Sequence, residues 1–209
     1  MKLILRDFNS DVVFAWSQYF GPHEDVSFGS GNLLKADCDA IVVALNTDGD
    51  IVGKLAREMM KTIAGPSLQQ QVKDAIQEQH LGSMMVGDAV LVDTGARYLR
   101  WVIGAVTSRD GTHRFMSVPF MVRPDPLKRK NANTALAATT YKAMTSILEV
   151  AHAAQPSIQR LGITGLGTGH ADGDTIICAE NMHKAFLDFT QRHPSSDINA
   201  PGQPKSTSA

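Results

Sequence analysis

With two cysteines, Cys38 and Cys178, in 209 residues, the chain has no disulfide framework, and no His or Cys pair stands at zinc-finger spacing. Reduced thiols in the cytoplasm, no bound metal and no cofactor are the expectation. Long apolar runs are missing too. None approaches the length that crosses a bilayer, and Leu3-Ile4-Leu5 is far too short for the core of a signal peptide. No membrane partner is therefore expected. An excess of one charge is also lacking: 20 Lys and Arg against 21 Asp and Glu leave a formal −1. That excludes a global basic field for holding long nucleic acid, while a local patch stays open. No internal repeat suggests a solenoid.

What remains is an ordinary globular composition, 43% apolar and 20% charged, with chain enough for one full core. Lys2 to Leu5 reads as a strand, broken by the capping residues of Asp7-Phe8-Asn9-Ser10. Val12, Trp16, Tyr19 and Phe20 then recur at helical spacing. Val26 to Phe28 reads as a second strand. Ala40-Ile41-Val42-Val43-Ala44-Leu45 is continuously apolar and suits a central strand covered on both faces. Beyond it, Ile51, Leu55, Met59 and Ile63 predict one helix; Leu68, Val72 and Ile76 predict another, with Gly82 just past its end. Asp88 to Val92 and Tyr98 to Val106 form a predicted hairpin. Residues 108–130 show no periodicity and carry Pro119, Pro124 and Pro126, so a long irregular connection is expected. A long helix follows from Asn131 to Ala154, a strand from Gln159 to Thr164, and a last helix with Cys178, Met182, Ala185, Phe186 and Phe189 on its apolar face. One domain is expected over 1–193, followed by a disordered polar tail over 194–209. Strands alternating with helices predict a three-layer α/β/α sandwich on a mixed central sheet.

Two loops carry the chemistry. Gly165-Leu166-Gly167-Thr168-Gly169-His170 lies between a strand and a helix. Missing Cβ atoms let such a backbone approach a ligand, and successive N–H groups can cradle an anion. A plain glycine-rich turn is the alternative. Asn46-Thr47-Asp48-Gly49-Asp50 ends the apolar strand in the same way. Ligands in α/β sheets collect beyond the carboxyl ends of strands, so both loops can face one crevice.

These residues resemble a macro domain. The resemblance runs through Leu3 to Asn9, Ala15-Trp16 and Phe20, Gly31-Asn32-Leu33-Leu34, Asp39-Ala40-Ile41-Val42 with Asn46, Gly87-Asp88-Ala89-Val90, the Asn133 helix with Tyr141, and Gly165 to His170. It covers residues 3–190 or so, in a bacterial or phage style. It implies a cleft for ADP-ribose or a close derivative, free or on an ADP-ribosylated macromolecule. Some family members only bind it; others hydrolyse ADP-ribose 1″-phosphate or remove ADP-ribose from a target. On this basis Asn32, Leu33, Asn46, Gly49, Ile51, Gly165, Leu166, Gly167, Thr168, Gly169 and His170 are the expected ligand contacts, and Asn46, Asp48, Asp50 and His170 the candidates for catalysis.

Departures from the family pattern bear on chemistry. Asn32 stands where the family has an adenine-contacting Asp, Val43 replaces the first of two asparagines, Val52 takes an acidic position, and Gly104 replaces a His. Binding thus survives the comparison better than catalysis, and a non-catalytic reader or a scaffold with a dead cleft remains the alternative. Asn46, Asp48 and Asp50 can equally be turn residues and helix caps. Arg123 and Lys128-Arg129-Lys130 read as a solvated face or an attractor of anions. An NAD-dependent oxidoreductase ranks lower, because the third glycine of G-x-G-x-x-G is His170 or Asp172. If Gly167 lines the phosphate site, Gly167→Glu should block it by bulk and charge.

Overall fold

The computed structural model describes residues 1–62, 67–108, 126–168 and 173–194. Five strands are parallel along a central sheet: β1 (Lys2–Asp7), β2 (Val26–Ser30), β3 (Ala40–Leu45), β6 (Trp101–Val106) and β7 (Arg160–Ile163). Two are antiparallel to their neighbours: β4 (Ile51–Val52) on β3 and β5 (Ala89–Asp93) on β6. The order is β2-β1-β7-β3-β6-β5, with β4 attached to β3. The helices α1 (Ser10–Phe20), α4 (Pro126–Ala153) and α5 (Thr175–Arg192) cover one face. The helices α2 (Lys54–Thr62) and α3 (Leu68–His80), with a 3-10 turn at Leu33–Lys35, cover the other.

β3 shows why its run is unbroken. Ala40 and Val42 belong to the core under α1, α4 and α5, while Ile41, Val43 and Leu45 belong to the core under α2 and α3. Alternate side chains enter opposite layers, so every position is apolar. The three-layer α/β/α architecture expected from the sequence is the one observed. Among the described residues no helix is long and apolar enough to cross a membrane.

Local chemistry sets most boundaries. The Asn9 side chain accepts from Asp11 N and starts α1, and Asp174 accepts from Ile176 N and Ile177 N to start α5. At the end of α3, Leu81 takes the left-handed conformation (φ 54°) and Gly82 follows at φ 83°. β5 is an edge strand, and α3 covers it. Gln79 Nε2 donates to Leu91 O at 2.7 Å, and Gln79 Oε1 accepts from Leu91 N at 3.2 Å. The pair copies a strand-to-strand contact and shields an edge open to aggregation.

Three sequence expectations are corrected. Ile51 opens no helix: Ile51 and Val52 pair with Leu45 and Ala44, and α2 begins only at Lys54. α4 begins at Pro126 rather than Asn131, since proline costs no hydrogen bond in a first turn. β6 begins at Trp101; Tyr98 lies in the preceding turn, 88% exposed. Ile63, Gly65-Pro66, Arg123 with most of the 108–130 connection, Gly169-His170 and the tail from residue 195 lie outside the described residues.

The α1–α5 seam carries a histidine pair. His23 Nε2 and His183 Nε2 lie 2.8 Å apart, packed against Phe20 and Phe186. Burial, and then the neighbouring His23, hold the His183 pKa below its ordinary value. The folded pKa is the depressed one, so the stabilisation is complete above the ordinary histidine value of about 6.5 and is lost as pH falls through the lowered value. Melting temperature should therefore fall as the buffer is taken from pH 7.5 to 5. His183→Phe, whose ring cannot protonate, should flatten that slope; an unchanged slope would remove the pair as its cause.

Candidate functional site

The site begins where two neighbouring strands part. β3 and β7 pair only at Ala40–Leu161 and Ile41–Gly162. Beyond that point a cavity of about 470 Å³ opens between them. Val42, Val43 and Ala44 line it from β3, and Thr164, Gly165, Leu166, Gly167 and Thr168 from the end of β7. Arg6, Asp7, Phe8 and Asn9 enter from the end of β1, and Gly31, Asn32 and Leu33 from the end of β2. Its volume lies within the range of small-molecule sites.

The loop after β3 reaches the cavity by an indirect path. Asn46 is 4% exposed, and its Oδ1 accepts from Asp48 N at 3.0 Å and Asp50 N at 2.8 Å. Gly49 (φ 74°) backs onto Ile76, and Gln69 of α3 donates to Gly49 O and accepts from Ile51 N. Asp50 pairs with Lys73 at 3.1 Å. These contacts fold the loop onto α3, and Asn46, Asp48, Gly49, Asp50 and Ile51 do not line the cavity. Asn46 takes the turn-forming role: its acceptor is engaged by its own loop. The short β4 then turns the chain back, and Val52, Gly53, Lys54, Leu55, Ala56 and Glu58 become the wall. The convergence of two strand-end bends is present, but the first bend contributes through residues 52–58 rather than 46–51.

The second loop is built on Asp7. Its Oδ2 accepts from Gly165 N at 3.1 Å and its Oδ1 from Asn9 N at 2.9 Å. The Gly165 amide is therefore engaged within the fold. The Thr168 hydroxyl donates to Gly165 O at 3.0 Å and closes the turn. Among the described residues, the main-chain N–H groups of Leu166, Gly167 and Thr168 have no acceptor. Across the cavity stands the start of α2, whose first N–H groups have no partner within the helix.

Three solved structures share this architecture. The macrodomain of Mycobacterium tuberculosis DarG is 20% identical, with 80% of this chain covering 91% of that one at a TM-score of 0.53. A Trypanosoma brucei macrodomain in complex with ADP-ribose is 17% identical, 79% of this chain covering 57% of that one, at 0.54. An Oceanobacillus iheyensis macrodomain with ADP is 15% identical, 78% covering 74%, at 0.56. The fold is that of the macrodomains. No protein-family model and no curated protein matches the sequence.

Within the macrodomain fold, the absent side chain of Gly167 has a packing reason. Its φ is 77°, and an added Cβ would meet Leu136 Cδ1, Thr140 Oγ1 and Cys178 Sγ at 3.1–3.3 Å. The missing side chain faces the α4–α5 packing, not the cavity, so Gly167→Glu strikes the fold before it blocks a site. Cys178 accepts from the Thr140 hydroxyl at 3.8 Å, and burial pushes its thiol up to about 11. Gly104 has a similarly structural reason: Leu45 Cδ1 stands 2.6 Å from where a Cβ would be.

Phe8 was absent from the site expected on sequence. It is 68% exposed at the cavity rim. A signal was there: Phe8 directly precedes the α1 cap Asn9, outside the apolar stripe of Val12, Ala15, Trp16 and Phe20.

Proposed function

We propose that the cavity binds ADP-ribose or a close derivative. The observation that carries this reading is the pairing of two amide sources: Leu166, Gly167 and Thr168 on one wall, and the first turn of α2 on the other. Amides of this kind suit a diphosphate, because they offer several donors without a desolvated countercharge. Lys54, at the first position of α2 and exposed, adds a cation at the mouth. Phe8, Leu33 and Leu55 line the same cavity and offer apolar surface suited to a purine. The Trypanosoma and Oceanobacillus structures, solved with ADP-ribose and ADP, support the same ligand class.

The proposed role is binding without chemistry from the 46–50 loop, since Asn46 is engaged within its own loop, Asp50 pairs with Lys73 of α3, and none of Asn46, Asp48 and Asp50 lines the cavity. ADP-ribose 1″-phosphate and an ADP-ribosylated peptide are the substrates on which to look for turnover. Loss of these three side chains should not alter any product formed.

Magnitudes direct the test. Micromolar affinity needs about 8 kcal/mol. A charge-assisted hydrogen bond contributes roughly 1.5–3 kcal/mol net, and the cost of association must be met first. The amide walls alone fall short, so base and ribose contacts must add to them. Calorimetric titration should give an affinity for ADP-ribose at least a hundredfold above that for pyrophosphate. Comparable affinities, or no heat with ADP-ribose, would refute the reading.

A further inference from the structure

The outward face of α2 carries charge that the fold does not use. Lys54, Arg57 and Lys61 are all exposed and recur at i, i+3 and i+7, so they share one side of the helix. Ala56 and Met59, fully buried, hold the other side against the sheet. Along the axis Arg57 stands about 4.5 Å beyond Lys54, and Lys61 about 6 Å beyond Arg57. Among the described residues none of the three cations forms an ion pair. Arg57 Nε donates to Gly53 O at 3.2 Å. Its two terminal nitrogens remain, and a guanidinium grips a phosphate through such a pair. The helix has one carboxylate, Glu58, which is half-buried and accepts from Asn32. Residues 62–67, which follow, carry no charge. A chain of net charge −1 thus concentrates positive charge on one helix face.

That face starts at the cavity. Lys54 lines it and is itself exposed, whereas Arg57 and Lys61 do not line it. A macromolecule joined to the bound ligand leaves past Lys54, and along α2 it meets Arg57 and then Lys61. The composition of the face selects the kind of macromolecule. A protein partner draws its affinity from apolar and aromatic anchors buried at the centre of the contact. Among the described residues α2 exposes no large apolar side chain. A phosphodiester chain needs none, because every nucleotide brings a charge whatever its base.

We propose that the outward face of α2 is a contact surface for single-stranded nucleic acid, and that the carrier of the cavity's ligand is such a chain. This rests on the ADP-ribose reading and extends it from the ligand to what the ligand is attached to. Lys54 serves the diphosphate of the ligand, and Arg57 and Lys61 serve phosphates of the chain. Recognition along α2 is independent of base sequence, since the helix offers no aromatic ring for a base to stack on.

The test is calorimetry with free ADP-ribose, a short single-stranded oligonucleotide bearing ADP-ribose at one end, and an acidic peptide bearing the same group. At about 50 mM salt the unaltered protein should hold the oligonucleotide conjugate about tenfold more tightly than free ADP-ribose. Two phosphate contacts on a single strand give a salt slope of about −1.4, so this advantage should fall about sevenfold by about 200 mM salt. In the double variant Arg57→Gln, Lys61→Gln the affinity for free ADP-ribose should stay within about twofold, because neither side chain lines the cavity, and the advantage should vanish. No advantage in the unaltered protein, one indifferent to salt, or one that survives in the folded double variant overturns the surface. An equal advantage for the acidic peptide overturns the choice of nucleic acid. Failure of free ADP-ribose to bind removes the cavity reading instead, and this inference with it.

Discussion

Lys54→Glu is expected to weaken ADP-ribose binding by about five- to thirtyfold while leaving the melting temperature unchanged or slightly raised. Lys54 is exposed at the first position of α2 and lines the cavity. Two unit charges about 6 Å apart in water interact by roughly 0.7 kcal/mol. Reversal changes the local charge by two units against a ligand carrying about two negative charges, and salt near physiological strength removes about half of the result. The net loss is about 1–2 kcal/mol. Stability moves the other way. The first turn of α2 has no acidic residue, and a carboxylate there favours the helix dipole by about 0.3–1 kcal/mol. Calorimetry at two salt concentrations and a thermal melt separate the effects. An affinity unchanged at low salt would take the phosphates away from this helix end.

Gly167→Glu should act on the fold, with a loss of about 2–5 kcal/mol in urea unfolding. A left-handed backbone costs a residue with a Cβ about 1–2 kcal/mol. Forcing that atom against Leu136, Thr140 and Cys178 at 3.1–3.3 Å adds about 1–3 kcal/mol of overpacking. The sum is a large part of the 5–15 kcal/mol that holds a domain together. Gly53 provides the contrast. Its φ is 97°, yet nothing lies within 4 Å of an added Cβ, so Gly53→Ala should cost about 1–2 kcal/mol, from strain alone. Equal losses in the two variants would contradict the packing under the Gly165–Thr168 loop.

The elements were readable because their causes are local. Alternation across β3, the Val12–Trp16–Phe20 stripe of α1, and the caps Asn9 and Asp174 depend on neighbours a few residues away. Of the candidate contacts taken from the sequence, Asn32, Leu33 and Gly165 to Thr168 line the cavity. Asn46, Asp48, Gly49, Asp50 and Ile51 do not line it. A polar loop after a strand looks alike whether it faces a ligand or a helix, and the deciding partners, Gln69, Lys73 and Ile76, are 18 or more residues away. Phe8 and Glu58 line the cavity as well, and their placement there depends on the tertiary pairing of the strands.

By itself the sequence determined the number and kind of layers, the one central strand, and the glycine-bearing turn that follows β7. Periodicity and turn chemistry decide those within a single segment. Which face of each loop meets the cavity was decided by the tertiary structure. β4 turns back on β3, and β3 separates from β7 after two residue pairs. The β3–β7 pairing joins segments far apart in the chain, and the β4 return is held by Gln69 of α3, so no local pattern records either.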